Sequence, residues 1–200
     1  TSGWNSGANM YEPWSRSYYP SDFLIGGDYQ NSITENYANA DWGVYNAIQN
    51  GGNQPSLWRT LSKDEANYLF NTRPNANQLF GYATVNGTTG LIILPDDWSA
   101  PNGISFTPTT ENYTTNIYSN YEWDMISSSV VFLPCGISIV NTNDFAVNYP
   151  YEGDYWLSTA GPGSNYAYFI TFRTNLFNYA ENYVNWRSDC FSVRLVQDVE

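Results

Sequence analysis

Histidine is absent from these 200 residues, lysine occurs once, at Lys63, and cysteine twice, at Cys135 and Cys190. Without histidine there is no Ser–His or Cys–His catalytic pair and no imidazole-bound zinc, and two cysteines cannot complete a four-ligand zinc site. Seven basic side chains against nineteen acidic ones give a net charge of −12 and a pI near 4.1. Nucleic acid and anionic membrane surfaces both select clustered Lys and Arg, so this balance argues against either as a partner. No apolar run approaches the roughly 20 residues of a membrane helix. Leu91–Pro95 and Val130–Pro134 are of strand length. Two cysteines do not make a disulfide framework, and no charged-then-apolar leader is visible at Thr1.

What the chain has in excess is aromatic surface, 18% of residues. Residues 1–56 are rich in Gly, Ser, Asn and Tyr, punctuated by Pro13, Pro20 and Pro55. They read as long ordered loops with one short helix on Trp42, Val44, Tyr45 and Ile48, stopped by Gly51 and Gly52. Trp4, Tyr11, Trp14, Tyr18, Tyr19 and Phe23 argue against disorder, which is poor in such residues.

A second helix is announced by Ser62-Lys63-Asp64-Glu65, a capping box in which the Ser62 hydroxyl accepts from the Glu65 amide and the Glu65 carboxylate from the Ser62 amide. Ala66, Leu69, Phe70 and Arg73 follow at helical spacing, and Pro74 ends the run. A third helix is expected over Tyr121–Ser127. The remaining signals are strands: Leu57–Leu61, Gly81–Val85, Leu91–Leu94, Val130–Leu133, Ile137–Val140, Tyr155–Leu157, Ala167–Phe172 and Phe191–Val196. Asn86-Gly87-Thr88-Thr89-Gly90 supplies a hairpin connection. Short antiparallel strands behind early helices make a single α+β domain over residues 1–200.

Seven segments occur in a telling order: Ala40–Gly43, Leu57–Leu61, Tyr68–Arg73, Gly90–Trp98, Val131–Pro134, Gly153–Thr159 and Phe191–Val196. Together they resemble a C-type-lectin-like domain common in surface proteins of gut bacteria and related in fold to the formylglycine-generating enzymes. The resemblance spans nearly the whole chain. Thr1-Ser2-Gly3-Trp4 resembles the middle of the family's N-terminal part, so the strands that normally precede it are expected to be missing. The same fold occurs in variable proteins of diversity-generating retroelements, in which adenine-directed mutagenesis rewrites codons near the C-terminus and the rewritten side chains form a ligand-binding surface. The corresponding segment here holds Asn165, Tyr166, Tyr168, Asn175, Asn178, Tyr179, Asn182, Tyr183 and Asn185. Asn is the typical template residue and Tyr a one-base product. The competing reading is that the whole chain is rich in Asn and Tyr.

The resemblance stops short of the chemistry of its relatives. True C-type lectins carry Glu-Pro-Asn or Gln-Pro-Asp and then Trp-Asn-Asp around calcium, and neither motif is present. Asp96 and Asp97 are adjacent, point to opposite sides of a strand end, and read as turn groups, so no metal or other cofactor is expected. The formylglycine-generating enzymes use a closely spaced copper-binding cysteine pair, whereas Cys135 and Cys190 are far apart in sequence. A disulfide between them is open if the two strand ends are neighbours; two buried thiols are the alternative. Glu152 and Asp154 flank Gly153 before Tyr155-Trp156 and could form a glycosidase pair, but nineteen acidic groups produce such pairs by chance. Arg194 and Arg187 read first as structural partners of a buried carboxylate or of loop carbonyls, and as anion contacts second. Trp42, Trp58, Trp98, Trp123 and Trp156 read as core.

A binding surface is expected late in the chain. If Ile170 and Phe172 face the core, Phe169, Thr171 and Arg173 face out. A loop over Asn178–Asp189 then adds Tyr179, Tyr183, Asn185, Trp186, Ser188 and Asp189, beside Tyr166, Tyr168 and Asn178. Tyr and Trp with Asn and Ser is the composition of antibody paratopes. The expected function is non-catalytic binding of a protein or glycan ligand, extracellular at a cell surface or on a phage virion, with no insertion into the membrane. The favoured form is a retroelement variable protein. The alternatives are a fixed-site lectin-like adhesin or pilus domain, a glycan-acting enzyme, and a structural domain without a ligand.

Overall fold

A computed structural model describes Asp41, Gly52, Gln54, residues 57–138, 147–148, 150–162 and 166–186, Asp189 and residues 191–198. The helix expected on Trp42–Ile48 lies outside the described residues. The described elements are mostly antiparallel strands with two short α-helices, which makes the domain α+β.

Strand β1 (Arg59–Thr60) leads into α1 (Lys63–Asn67), and both halves of the Ser62–Glu65 capping box are formed. The helix then widens into a π-helical turn over Tyr68–Thr72, and Arg73 turns extended before Pro74. A residue preceding proline is pushed out of the helical region, so the helix ends where the sequence says it should. The widened turn leaves the Arg73 guanidinium buried. Its Nε donates to the Leu69 carbonyl at 2.6 Å, Nη1 to Leu94 O at 2.9 Å and Asp96 Oδ1 at 3.0 Å, and Nη2 to Leu79 O at 3.3 Å. A single 3-10 turn, Ala76–Gln78, separates this corner from the first sheet.

That sheet has the order β4-β2-β3-β5, with β2 Phe80–Val85, β3 Thr88–Ile93, β4 Ile117–Tyr118 and β5 Val131–Pro134. The β2–β3 turn is the two residues Asn86 and Gly87, at φ 48° and 80°. Two positive φ values suit the right-handed twist of a hairpin, which is why Asn-Gly stands there. Helix α2 spans Asn120–Ile126 and carries a second capping box, Ser119 with Glu122, that the sequence analysis overlooks. Strands β6 (Ile137–Ser138) and β7 (Val147–Asn148) pair with each other.

The second large sheet has the order β10-β9-β8, all antiparallel, with β8 Glu152–Ala160, β9 Tyr166–Arg173 and β10 Leu176–Trp186. Strand β11 (Leu195–Val196) returns to pair with β1. The eleven-residue β10 replaces most of the expected loop over Asn178–Asp189. Its hairpin with β9 turns on Thr174 and Asn175, the latter left-handed at φ 61°. A bulge between Tyr179 and Val184 interrupts the period-2 pattern of β10, so the strand does not show as an alternating run.

The core is layered. Phe80, Tyr82, Leu91 and Ile93 of the first sheet face Tyr155, Leu157, Ile170 and Phe172 of the second. On the first sheet's other face, Ala83, Val85, Ile92 and Leu94 pack on Tyr118, Ile126 and Val130. Strands buried on both faces read as continuous apolar runs, and Leu91–Leu94 is one. Each fully buried large side chain contributes about 1.5–3 kcal/mol. Trp156 lies in the core, and Trp98 and Trp123 pack partly buried against the second cluster. Tyr82 couples the sheets directly: its hydroxyl lies 2.9 Å from the Arg173 carbonyl and 2.6 Å from that of Leu176, at the two ends of the β9–β10 turn. Among the described residues no helix is long and apolar enough to cross a membrane.

Two outcomes test this packing. Gly153 sits under the Phe172 ring, where a Cβ would overlap the ring carbons. Gly153→Ala is expected to destabilise the domain by about 1–3 kcal/mol in chemical denaturation; an unchanged midpoint would contradict the packing. Glu65 is held near pKa 2, first by its bond to the Arg59 guanidinium and then, against the opposing cost of burial, by the Ser62 cap. A depressed carboxylate stabilises the fold above its unfolded value near 4.5, and that contribution is lost as pH falls toward 2. The melting temperature of Glu65→Gln is therefore expected to fall less than that of the parent across this window. Parallel curves would contradict the linkage.

Candidate binding surface

The residues expected to bind lie on or beside β9 and β10, and the structure divides them between the two faces of that sheet. Strand β9 is regular, so Tyr166, Tyr168, Ile170 and Phe172 share one face and Ala167, Phe169, Thr171 and Arg173 the other. The first is the core face, as expected from Ile170 and Phe172. The second face is not solvent-exposed. Phe169 and Thr171 are buried at 6% and 3% exposure. The expectation that they face out is overturned: Phe169 packs against Trp156 of β8 and Phe191 of the C-terminal segment, ring centroids 6.0 and 5.0 Å away, and Thr171 is buried on the same face. That segment is pinned to β8 by the Trp156 amide on Ser192 O at 2.9 Å and the Ser192 amide on Asp154 O at 3.0 Å.

Asp189 is also buried, at 4% exposure. Its carbonyl accepts the Trp156 indole N–H at 3.3 Å and its amide donates to Trp186 O at 2.9 Å, so it belongs to the scaffold and not to the ligand surface. Tyr179 faces the core, 5.7 Å from the Phe70 ring and 5.6 Å from Phe177. Asn178 is half-buried, and its Oδ1 is buried without a hydrogen-bond partner. Arg173 is exposed and lies 3.6 Å from Glu152, its register partner on β8. Ser188, Arg187 and Cys190 lie outside the described residues.

What remains is concentrated at the end of the sheet far from the β9–β10 turn. Tyr166 and Trp186 are cross-strand partners on one face, ring centroids 4.8 Å apart. Trp186 is 44% exposed and Tyr183 is 42% exposed. Tyr183 points to the opposite face, where its ring lies 6.3 Å from Phe169. Asn185 is half-buried between them in sequence. Beside the Tyr166–Trp186 pair, Tyr168 is half-buried and carries the Lys63 ammonium 4.2 Å above its ring. That cation is missed from sequence, although a lone lysine in an acidic chain is a signal in itself. Helix α1 brings it there, its first amide donating to the Thr159 hydroxyl on β8 at 3.0 Å.

The other candidates resolve differently. Arg194 is exposed and makes no ion pair among the described residues, where the buried guanidinium is that of Arg73. Cys135 is a free thiol, and Cys190, with which the sequence leaves a pairing open, lies outside the described residues. Burial raises its pKa, opposed by hydrogen bonds with the Thr89 and Tyr113 hydroxyls. Tyr113 in turn donates to the Tyr151 carbonyl at 2.9 Å. Among the described residues no three His, Cys, Asp or Glu side chains are grouped to hold a metal ion. Compared with protein-family models, curated proteins and solved structures, the chain matches none.

Alkylation checks the thiol. Without reductant, iodoacetamide is expected to label the Cys135 peptide in denaturant and to spare it in native buffer at pH 7. Labelling that requires prior reduction would show a disulfide and contradict the assignment.

Proposed function

We propose that the chain is a non-catalytic recognition domain of C-type-lectin-like architecture, displayed outside the cell or on a phage particle, and that it binds a protein or glycan through the end of the β8–β9–β10 sheet. The observation that carries this is the exposed rings of Trp186 and Tyr183 on an edge strand, with the half-buried Tyr166 ring beside Trp186. Large rings with few rotatable angles give contact area at low entropic cost, and half-exposed Trp and Tyr are the side chains that dominate binding energy in interfaces. Asn185 adds an adaptable donor and acceptor, and Lys63 a cation fixed over Tyr168. The surface offers stacking and hydrogen bonds, which suits binding.

Diversification by a retroelement is the form of this proposal that explains the Asn and Tyr run. Burial then restricts which positions can vary. Asn175 holds a left-handed turn and Tyr179 packs in the core, so both belong to the fixed scaffold, whereas Tyr183 is exposed and Tyr166 and Asn185 are half-buried at the sheet's end, where change costs less.

Sequencing the flanking DNA is the test. The expected finding is a reverse transcriptase gene and a near-repeat of the codons for residues 160–190, with adenine differences at Tyr166, Tyr183 or Asn185 and none at Asn175 or Tyr179. A locus without such a repeat would refute diversification. Recognition itself is tested by Tyr166→Ala, Tyr183→Ala and Trp186→Ala on a glycan array and on intact bacterial cells. At least one is expected to lower binding tenfold or more with the melting temperature kept. Binding by the parent that all three leave unchanged would refute this surface.

A further inference from the structure

On the core side of the second sheet lies a cavity of about 490 Å³ that the recognition surface does not use. Its floor is Phe70, Leu133, Tyr155, Leu157 and Ile170 from the inter-sheet core. Trp58, Leu195 and Val196, from the β1–β11 pair and its approach, form one wall, and Tyr68 and Leu69 of the π turn another. At roughly 30 Å³ per liquid water this is the space of about sixteen waters, within the range of small-molecule sites. Three lining side chains besides the tyrosines are polar: Glu65, Arg194 and Gln197.

Their charges are not equally available. Glu65 accepts from Arg59 Nη2 at 2.5 Å and Nη1 at 2.8 Å and from the Ser62 amide at 2.8 Å, so its charge is spent. The Tyr155 hydroxyl donates to Pro134 O at 2.7 Å. Arg194 alone lines the cavity as an exposed cation with no ion pair among the described residues. We infer that this cavity binds a small amphiphile, a slim apolar body lying over the closed core floor against the half-buried Leu69, Leu195 and Val196, with one carboxylate on the Arg194 guanidinium. A neutral apolar molecule would leave that guanidinium unused. A cationic one would set like charges together. The net charge of −12 does not forbid an anion, because at physiological salt fields beyond about 8 Å are screened.

Three probes of one chain length test this: decanoate, decanol and decyltrimethylammonium, titrated at 0.15 M salt against the fluorescence of Trp58 and Trp156. Decanoate is expected to saturate below about 1 mM and to bind about fivefold to tenfold tighter than decanol. Arg194→Gln should erase that margin and leave decanol binding as it was. Leu195→Trp, which fills the wall, should weaken both, with circular dichroism confirming a folded chain. If Leu195→Trp fails to fold, Val196→Phe serves the same purpose. Absence of saturation with a folded parent, equal affinity for the three probes, or a decanoate margin that survives Arg194→Gln would each overturn the inference.

Discussion

Everything in the C-terminal half hangs on β9 being covered on both faces. Ile170 and Phe172 fill the space between the two large sheets, while on the other face Phe169 packs under Phe191 and Thr171 is buried. A strand in that position has no free side to offer a ligand, and variation in its middle would open a cavity or overpack a core. The exposed rings of this sheet lie where the cover ends, on the far half of the edge strand β10 opposite the Tyr166 end of β9. The bulge between Tyr179 and Val184 does the rest, letting Tyr179 face the core while Tyr183 and Trp186 reach solvent on opposite faces.

Scarce positive charge is spent in the same spirit. Of seven basic residues, Arg73 is buried on three carbonyls and Asp96, where it ties the π turn to the end of β3. Arg59 clamps Glu65 of α1 and Asp198 beyond β11, so a single guanidinium joins the first and last described strands through their neighbours. Arg173 faces Glu152, and Lys63 sits on an aromatic ring. A guanidinium removed from Arg73 would leave buried carbonyls unsatisfied, which is costlier than the loss of any one exposed pair. The net charge of −12 that remains favours solubility and disfavours anionic polymers.

How much of this is legible in the sequence follows from the range of each interaction. The Ser62–Glu65 cap, the Pro74 stop and the apolar runs of β2, β5 and β9 are local, and they are found within a residue or two of where they are read; β3 begins earlier, at Thr88, because the hairpin turn is only Asn86-Gly87 and not the whole Asn86–Gly90 connection. Strand β10 is not, because its bulge breaks the alternation and its asparagines look like loop. The facing of Phe169 and Thr171 depends on a segment twenty residues further on, which no local periodicity reports. The same holds for Arg73, whose acceptors come from Leu79 and Leu94, and for Lys63, which meets Tyr168 only through the packing of α1 on the second sheet. The residues expected to bind therefore fall on or beside one strand pair, but Phe169, Thr171, Tyr179 and Asp189 among them are packed into the fold.

The central claim is that the middle of β9 is scaffold on both faces. A protease-susceptibility scan of all substitutions at residues 166–186 measures it most directly. Polar substitutions at Phe169 and Thr171 are expected to be as destabilising as those at Ile170 and Phe172, by about 3 kcal/mol or more for the aromatic positions. Those at Tyr183 and Trp186 are expected to stay within about 0.5 kcal/mol of the parent. Tolerance at Phe169 and Thr171 comparable to that at Tyr183 would show the second face to be open and contradict the account.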